Sequence, residues 1–225
     1  GYVQIDAGRD HNCALGSDGY LTCWGSDQMG QSSPPYEPFA EVSAGKHHTC
    51  GRRSDGTVVC WGGNNHGQSN APPDLFVQIS AGYHFTCGLT TTAEILCWGT
   101  GIYAPITPPV GTFTQVSLGH YHACAVSTTG ETVCWGTNDW GELDVPPGED
   151  FVQVIAGGFH VCGLKADGTL ICWGNNNFGQ CNVPPYSYQW VDCPIRHTCA
   201  LMVDDELICF GLNGDGQGNP PPPTY

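Results

Sequence analysis

Ala44-Gly45-Lys46-His47-His48-Thr49-Cys50, then the turn Ser54-Asp55-Gly56, then Cys60-Trp61-Gly62 leading into Asn64-Asn65-His66-Gly67-Gln68, make up one unit of a six-fold repeat. The Trp-Gly step recurs as Trp24-Gly25, Trp61-Gly62, Trp98-Gly99, Trp135-Gly136 and Trp173-Gly174, and as Phe210-Gly211 in the last unit. The intervals are 37, 37, 37, 38 and 37 residues. A cysteine precedes each step (Cys23, Cys60, Cys97, Cys134, Cys172, Cys209), and a second lies ten residues earlier (Cys13, Cys50, Cys87, Cys124, Cys162, Cys199). Turn-type residues such as Ser17-Asp18-Gly19 and Asp167-Gly168 occupy the midpoints, between short β-prone runs, which is a hairpin signal.

Folding the chain at those turns sets the two cysteines of each unit opposite one another. Cross-strand Cβ atoms lie about 4.5–5.5 Å apart, and only the closer, non-hydrogen-bonded pairs approach disulfide separation. Six cross-strand disulfides are therefore predicted, each closing a short loop and contributing roughly 2–3 kcal/mol in the chain-entropy picture. Cys181 and Cys193, twelve apart around Val183-Pro184-Pro185-Tyr186, are expected to form a seventh bridge.

A further strand recurs in register, as in Val3-Gln4-Ile5, Val77-Gln78-Ile79 and Val152-Gln153-Val154, and Pro-Pro connectors begin at 34, 72, 108, 146, 184 and 220. Three short strands cannot bury their own faces. The expected fold is therefore all-β: a six-bladed β-propeller of ~37-residue repeats over residues 1–219, one disulfide per blade, closed into a ring of six. Residues 220–225 are expected to be a polyproline tail. The Trp residues are expected to be inter-blade core.

Gly and Pro fill 49 of 225 positions (32 and 17), which suits a turn-rich β protein. A formal charge of −15, with only six cations, argues against nucleic-acid binding. No apolar run is long enough to span a bilayer, so membrane insertion is not expected, and with no signal peptide the chain reads as a mature form. Fourteen cysteines imply an oxidising, extracellular or secreted setting.

The combination Ala-Gly-x-x-His-x-Cys, Asp-Gly, Cys-Trp-Gly and Asn-x-x-Gly-Gln resembles the regulator-of-chromosome-condensation repeat family along essentially the whole chain. Trp61 to Gln68 and Trp173 to Gln180 are similar to the family's β-lactamase-inhibitor branch. The cysteine placement resembles the ectodomains of crinkly-type plant receptor kinases. The resemblance implies a propeller, with seven blades in most relatives, and a habit of binding partners. It also implies that the loop before each first cysteine carries aromatic contact residues, here Tyr83, Tyr121 and Phe159. A nuclear exchange-factor role conflicts with the cysteines and the charge.

Those loops also hold Arg9, Lys46 and Arg196, three of the six cations, in repeats one, two and six. A cationic arc beside an aromatic one suits an anionic protein surface or an acidic glycan. The expected partner-binding set is Arg9, Lys46, Tyr83, His120, Tyr121, Phe159 and Arg196. A second contact surface is expected from Met29, His66, Tyr103, Trp140 and Phe178, each five residues beyond the Trp step.

His11, His48, His122, His160 and His197 share one register position, with His84 one step off it. One imidazole per blade spreads nitrogens too widely for a single zinc, so these are expected to bond backbone and no metal is expected. No catalytic constellation, cofactor motif or calcium loop is recognisable, and Asn213 to Gln217 is taken as a turn. The function expected is a secreted, non-enzymatic recognition module that binds a protein partner. The alternatives are a self-associating structural subunit of an extracellular assembly and a lectin.

Overall fold

Each hairpin turns on three residues, the last of them left-handed. Gly16 donates its N–H to the Tyr20 carbonyl at 2.8 Å, Gly19 donates to Gly16 at 2.9 Å, and Gly19 has φ +86°. Ala93 and Asp205 hold the same place in the third and sixth units at φ 65° and 67°, where a Cβ is disfavoured.

The computed structural model describes residues 1–100 and 107–220. Blade 1 comprises β1 (Tyr2–Ala7), β2 (His11–Gly16) and β3 (Leu21–Gly25), and blade 2 comprises β4 (Glu41–Ala44), β5 (His48–Arg52) and β6 (Val58–Gly62). Blade 3 comprises β7 (Phe76–Ala81), β8 (Phe85–Thr90) and β9 (Ile95–Gly99), and blade 4 comprises β10 (Phe113–Leu118), β11 (His122–Ser127) and β12 (Thr132–Gly136). Blade 5 comprises β13 (Phe151–Ala156), β14 (His160–Lys165) and β15 (Leu170–Gly174), and blade 6 comprises β16 (Tyr188–Asp192), β17 (His197–Met202) and β18 (Leu207–Gly211). Every blade is a three-stranded antiparallel sheet in sequence order. In each, the two cysteines of the hairpin are register partners, bridged with Cα atoms 4.0–4.1 Å apart.

The blades cohere through one interface used repeatedly. The disulfide faces of blades 1 to 5 each pack on an aromatic pair of the next blade: Cys13, Leu15, Leu21 and Cys23 meet Phe39, Val42 and Trp61, and the disulfide of blade 4 meets Phe151 and Trp173. Polar groups fix the register. Gln4 Nε2 donates to the Val42 carbonyl at 2.8 Å, Val42 N–H donates to Gln4 Oε1 at 3.1 Å, and Ala44 N–H donates to Asp6 Oδ2 at 3.0 Å. Gln78 with Ser80, and Gln115 with Ser117, repeat this at the next inner strands.

Three of the buried histidines bond a hydroxyl of the next blade where backbone was expected, which corrects the sequence expectation for them. His11 Nε2 lies 2.7 Å from Thr49 Oγ1, His48 2.8 Å from Thr86 and His160 2.9 Å from Thr198. Between blades 3 and 4 both partners are apolar, Phe85 and Ala123. Between blades 4 and 5 only one has changed: Val161 stands where threonine would be, and His122 Nε2 has no partner among the described residues.

Two further expectations are corrected. Cys181 and Cys193 are free thiols, not a seventh bridge. Cys181 stands at the repeat position of Ser32 and Ser69, and like their hydroxyls its Sγ donates to a loop carbonyl, that of Asn175 at 3.4 Å. Cys193 occupies the inner-strand position that Ala44 and Ala81 hold in other blades, buried against blade 5. Burial pushes the Cys181 thiol up to about 12 and that of Cys193 well above its ordinary value, so neither is a ready nucleophile.

The ring is also not sealed. Ile5 is 65% exposed, whereas its counterparts Val42, Ile79, Val116, Val154 and Val191 are at most 3% exposed, and Trp24 is far more open than Trp98 or Trp173. Among the described residues five seams are packed, while the seam between blades 6 and 1 is open. Of the expected tail, residues 221–225 lie outside the described residues.

Two substitutions check this account. Val161→Thr places a hydroxyl between His122 Nε2 and the Glu142 carbonyl, and it should raise stability by about 1 kcal/mol, seen as a higher Tm and denaturation midpoint. Ala93→Gly should relieve the left-handed turn for a gain of about 1 kcal/mol in the same assay.

Candidate functional site

In five of the six units the residue after the Trp-Gly or Phe-Gly step donates its N–H to the loop that precedes the first cysteine. Ser26 bonds the Asp10 carbonyl at 2.7 Å, Gly63 bonds His47 at 2.7 Å, Asn175 bonds Phe159 at 2.9 Å and Leu212 bonds Arg196 at 2.9 Å. The glycine itself is required by this approach. A Cβ at Gly25 or Gly62 would stand 2.7 Å from the carbonyl oxygen of Asp10 or His47, and both glycines have positive φ. The rim loops are thereby pinned to rigid strand ends.

Around the axis, these loops line a single funnel of about 820 Å³. All seven expected partner-binding residues are on its wall: Arg9, Lys46, Tyr83, His120, Tyr121, Phe159 and Arg196. Ile195, Asp215 and Gln217 join them from blade 6.

Tyr83 links the two arcs. Arg9 Nη1 donates to its hydroxyl at 3.2 Å, and Lys46 Nζ sits 3.8 Å from its ring centroid. On its other side lie His120 at 4.7 Å and Tyr121 at 5.2 Å, and His120 in turn meets Phe159 edge-on at 5.0 Å. Burial pushes the Tyr83 phenol up, but Lys46 and Arg9 outweigh it and hold the group below its ordinary value. Burial, followed by Arg9, Lys46 and Arg196, holds His120 down at about 4, so its ring is neutral and serves as an aromatic surface at pH 7.

The three cations outside the funnel are each matched to a carboxylate: Arg52 to Glu41 at 2.7 Å, Arg53 to Glu37 at 2.9 Å and Lys165 to Glu149 at 2.8 Å. In the funnel, Arg9 makes a looser, exposed contact with Asp10 at 3.6 Å, while Lys46 and Arg196 face rings.

Of the residues expected to form a second surface, Met29, His66, Trp140 and Phe178 sit at loop tips, each with its N–H held by a Gln or Glu two residues on. Two of these tips touch the rim loops: His66 meets the tilted ring of His84 at 4.2 Å, and Arg196 lies over Phe178 at 5.2 Å. Tyr103 lies outside the described residues. Among the described residues one cluster offers metal-type atoms, His160 with Cys162 and Cys193. Its Cys162 sulfur is already bonded to Cys172, which leaves too few donors for a site.

The molecule is thus a disulfide-stapled repeat propeller whose variable loops converge on one face. The regulator of chromosome condensation (RCC1) repeat matches residues 2–31, 39–68, 76–103, 113–141, 151–180 and 195–217, and the chain belongs to that family. No curated protein sequence matches it. Among solved structures, the ectodomain of receptor kinase CR4 from Physcomitrella patens is 27% identical, with a TM-score of 0.81 over 93% of this chain and 61% of that one. This chain therefore spans less than two thirds of that ectodomain. The CRINKLY ectodomain of ACR4 from Arabidopsis thaliana is 23% identical, with a TM-score of 0.80 over 96% and 87%. Prp20p from Saccharomyces cerevisiae, a structure described with its binding to Gsp1p and histones, is 16% identical, with a TM-score of 0.83 over 93% and 72%.

The buried histidines make stability dependent on pH. Burial, then neighbouring imidazoles, holds His48 and His122 down at about 3 and His160 at about 4. Each is neutral when folded but protonates near 6.5 when unfolded, so its contribution is present above pH 6.5 and is lost as pH falls toward 4. Asp6 acts oppositely. Raised to about 6 by burial, with Asp192 also facing it, it contributes stability at low pH that is lost as pH rises through 6. Burial also raises Glu41, Glu142 and Asp192, but it lowers His11, His84, His120 and His197 as well, so the histidines outnumber the carboxylates at up to ~1.4 kcal/mol per pH unit each. Calorimetry at constant ionic strength should give a lower Tm at pH 5 than at pH 7.5.

Proposed function

We propose that this propeller is an extracellular, non-enzymatic recognition module whose funnel binds an acidic segment of a protein partner. The observation that carries the reading is the distribution of cations on a chain of net charge −15. Three of six are neutralised in ion pairs elsewhere, and the other three stand around one opening, Lys46 and Arg196 over aromatic rings and Arg9 on the Tyr83 hydroxyl with a looser contact to Asp10. Cations held over aromatic surface in a concave, pinned site suit an inserted carboxylate-bearing loop, and Arg and Tyr are the residue types that anchor such contacts. The protein-binding relatives support this choice of ligand class: Prp20p with Gsp1p and histones, and yeast RCC1 with Kap60. Six disulfides and the receptor-ectodomain neighbours support the extracellular setting.

Affinity capture from extracellular fluid, followed by mass spectrometry, tests the reading. A partner should be retained by the wild type and lost by the Tyr121→Ala, Phe159→Ala double variant, whose Tm should be unchanged. Lys46→Glu should then weaken the purified pair by at least ~10-fold, with affinity falling as salt rises. Equal capture by wild type and double variant would refute the funnel as the binding face.

A further inference from the structure

The two ends of the propeller carry opposite charge. Each middle strand starts at a rim loop and ends at a hairpin turn, so the funnel and the six turns stand at opposite ends of strands about 17 Å long. At the turn end Asp18, Asp55, Glu94, Glu131 and Asp167 are exposed, one to a turn. The cations of this end, Arg52, Arg53 and Lys165, are already matched to Glu41, Glu37 and Glu149. The chain's other three cations are in the funnel.

The sixth turn differs from the rest. Val203-Asp204-Asp205-Glu206 sets three exposed carboxylates beside a valine that is 62% exposed, where the other turns begin with Ser17, Ser54, Thr91, Thr128 and Ala166. Its shape is fixed by its neighbours. Val203 N–H donates to the Ser187 carbonyl at 3.0 Å, and Gln189 Nε2 donates to Asp205 Oδ1 at 2.8 Å and to the Met202 carbonyl at 3.0 Å. Asp204 Oδ1 accepts the Glu206 N–H at 3.3 Å, and neither Asp204 nor Glu206 makes an ion pair among the described residues.

We infer that the acidic segment taken by the funnel is the β17–β18 turn of a second copy of this chain, so that propellers join head to tail. This rests on the reading of the funnel as a site for an acidic segment and names its occupant. Arg9, Lys46 and Arg196 outnumber Asp215, the carboxylate on the funnel wall, and offer charge to Asp204 and Glu206, while the rings of Tyr83, Tyr121 and Phe159 offer Val203 an apolar wall. A four-residue tip is a compact ligand for a cavity of about 820 Å³. Chains of net charge −15 repel at a distance, but the Debye length is about 8 Å at physiological salt, which leaves the groups at the contact to decide. Turn and funnel lie at opposite ends, so every contact leaves one of each free and generates an open chain, not a closed dimer. A hairpin tip buries little area, so the contact is weak and assembly needs a high local concentration.

Sedimentation of the oxidised chain with two variants tests this. Val203→Ser, Asp204→Asn, Glu206→Gln removes the turn's contacts and keeps the funnel, whereas Tyr121→Ala, Phe159→Ala does the reverse; both should keep the wild-type Tm. The wild type should grow past a dimer as its concentration rises to about 100 µM. It should return to monomer when salt is raised from about 0.15 M to about 1 M. Each variant alone should stay monomeric, and an equimolar mixture should form a dimer and grow no further, since it holds one working turn and one working funnel per pair. A wild type that stays monomeric or stops at a dimer overturns the inference, as does a turn variant that assembles like the wild type. A monomeric wild type whose captured partner is still lost by the funnel variant would overturn self-assembly alone and leave the recognition reading in place. A funnel variant that assembles and captures like the wild type would overturn both.

Discussion

The contact between one blade's disulfide and the next blade's aromatic pair is what the rest of the molecule depends on. A three-stranded sheet of four- to six-residue strands has two faces and almost no interior, so it gains stability only by stacking. The cross-strand bridge serves this twice. It restrains the hairpin in the unfolded chain, and it presents a compact apolar surface, Cys13–Cys23 or Cys124–Cys134, on which Phe39 and Trp61, or Phe151 and Trp173, can settle. Register along the seam is then set by side chains that reach across it, Gln4 and Asp6 to the next inner strand and His11 to the next threonine.

The funnel follows from this stacking. With blades held in register and, in five of the six units, the residue after the Trp-Gly or Phe-Gly step bonded to the rim loop, the loop tips are brought around one axis with little freedom in their backbones. Their side chains are then free to differ. The chain has used that freedom unevenly, setting cations on blades 1, 2 and 6 and rings on blades 3 to 5, with Tyr83 bound to both groups. A surface of this kind is charged and aromatic without being mobile, which suits recognition better than chemistry.

Much of the architecture is legible in the repeat because each unit solves the same local problem. The spacing of ten between cysteines around a turn has one sterically acceptable outcome, and a large aromatic recurring every 37 residues has to pack on a neighbour. The funnel residues were legible for the same reason: Arg9, Lys46, Tyr83, His120, Tyr121, Phe159 and Arg196 share register positions around the first cysteine, and equal register places them at equal height on the axis. The inter-blade polar code was available but not read. Gln4, Gln78 and Gln115, each followed two residues on by Asp6, Ser80 or Ser117, form a period-two pattern whose partners lie one blade away. The pairing of His with Thr likewise emerges only when residues about 38 apart are set side by side.

What the sequence determined by itself is everything that depends on near neighbours along the chain: hairpins, bridges within them, strand faces and the height of each loop. The tertiary structure decided what depends on neighbours across blades. Cys181 and Cys193 form an even, closely spaced pair in the sequence, yet they occupy positions that serine and alanine hold elsewhere, one directed at its own loop carbonyl and the other packed into a seam. Likewise, six similar units give no sign in their sequence of the angle between them. Whether six blades close a circle is fixed by how far each seam rotates one sheet on the next, a sum of side-chain packing distances. Here that sum leaves Ile5 and Trp24 facing solvent.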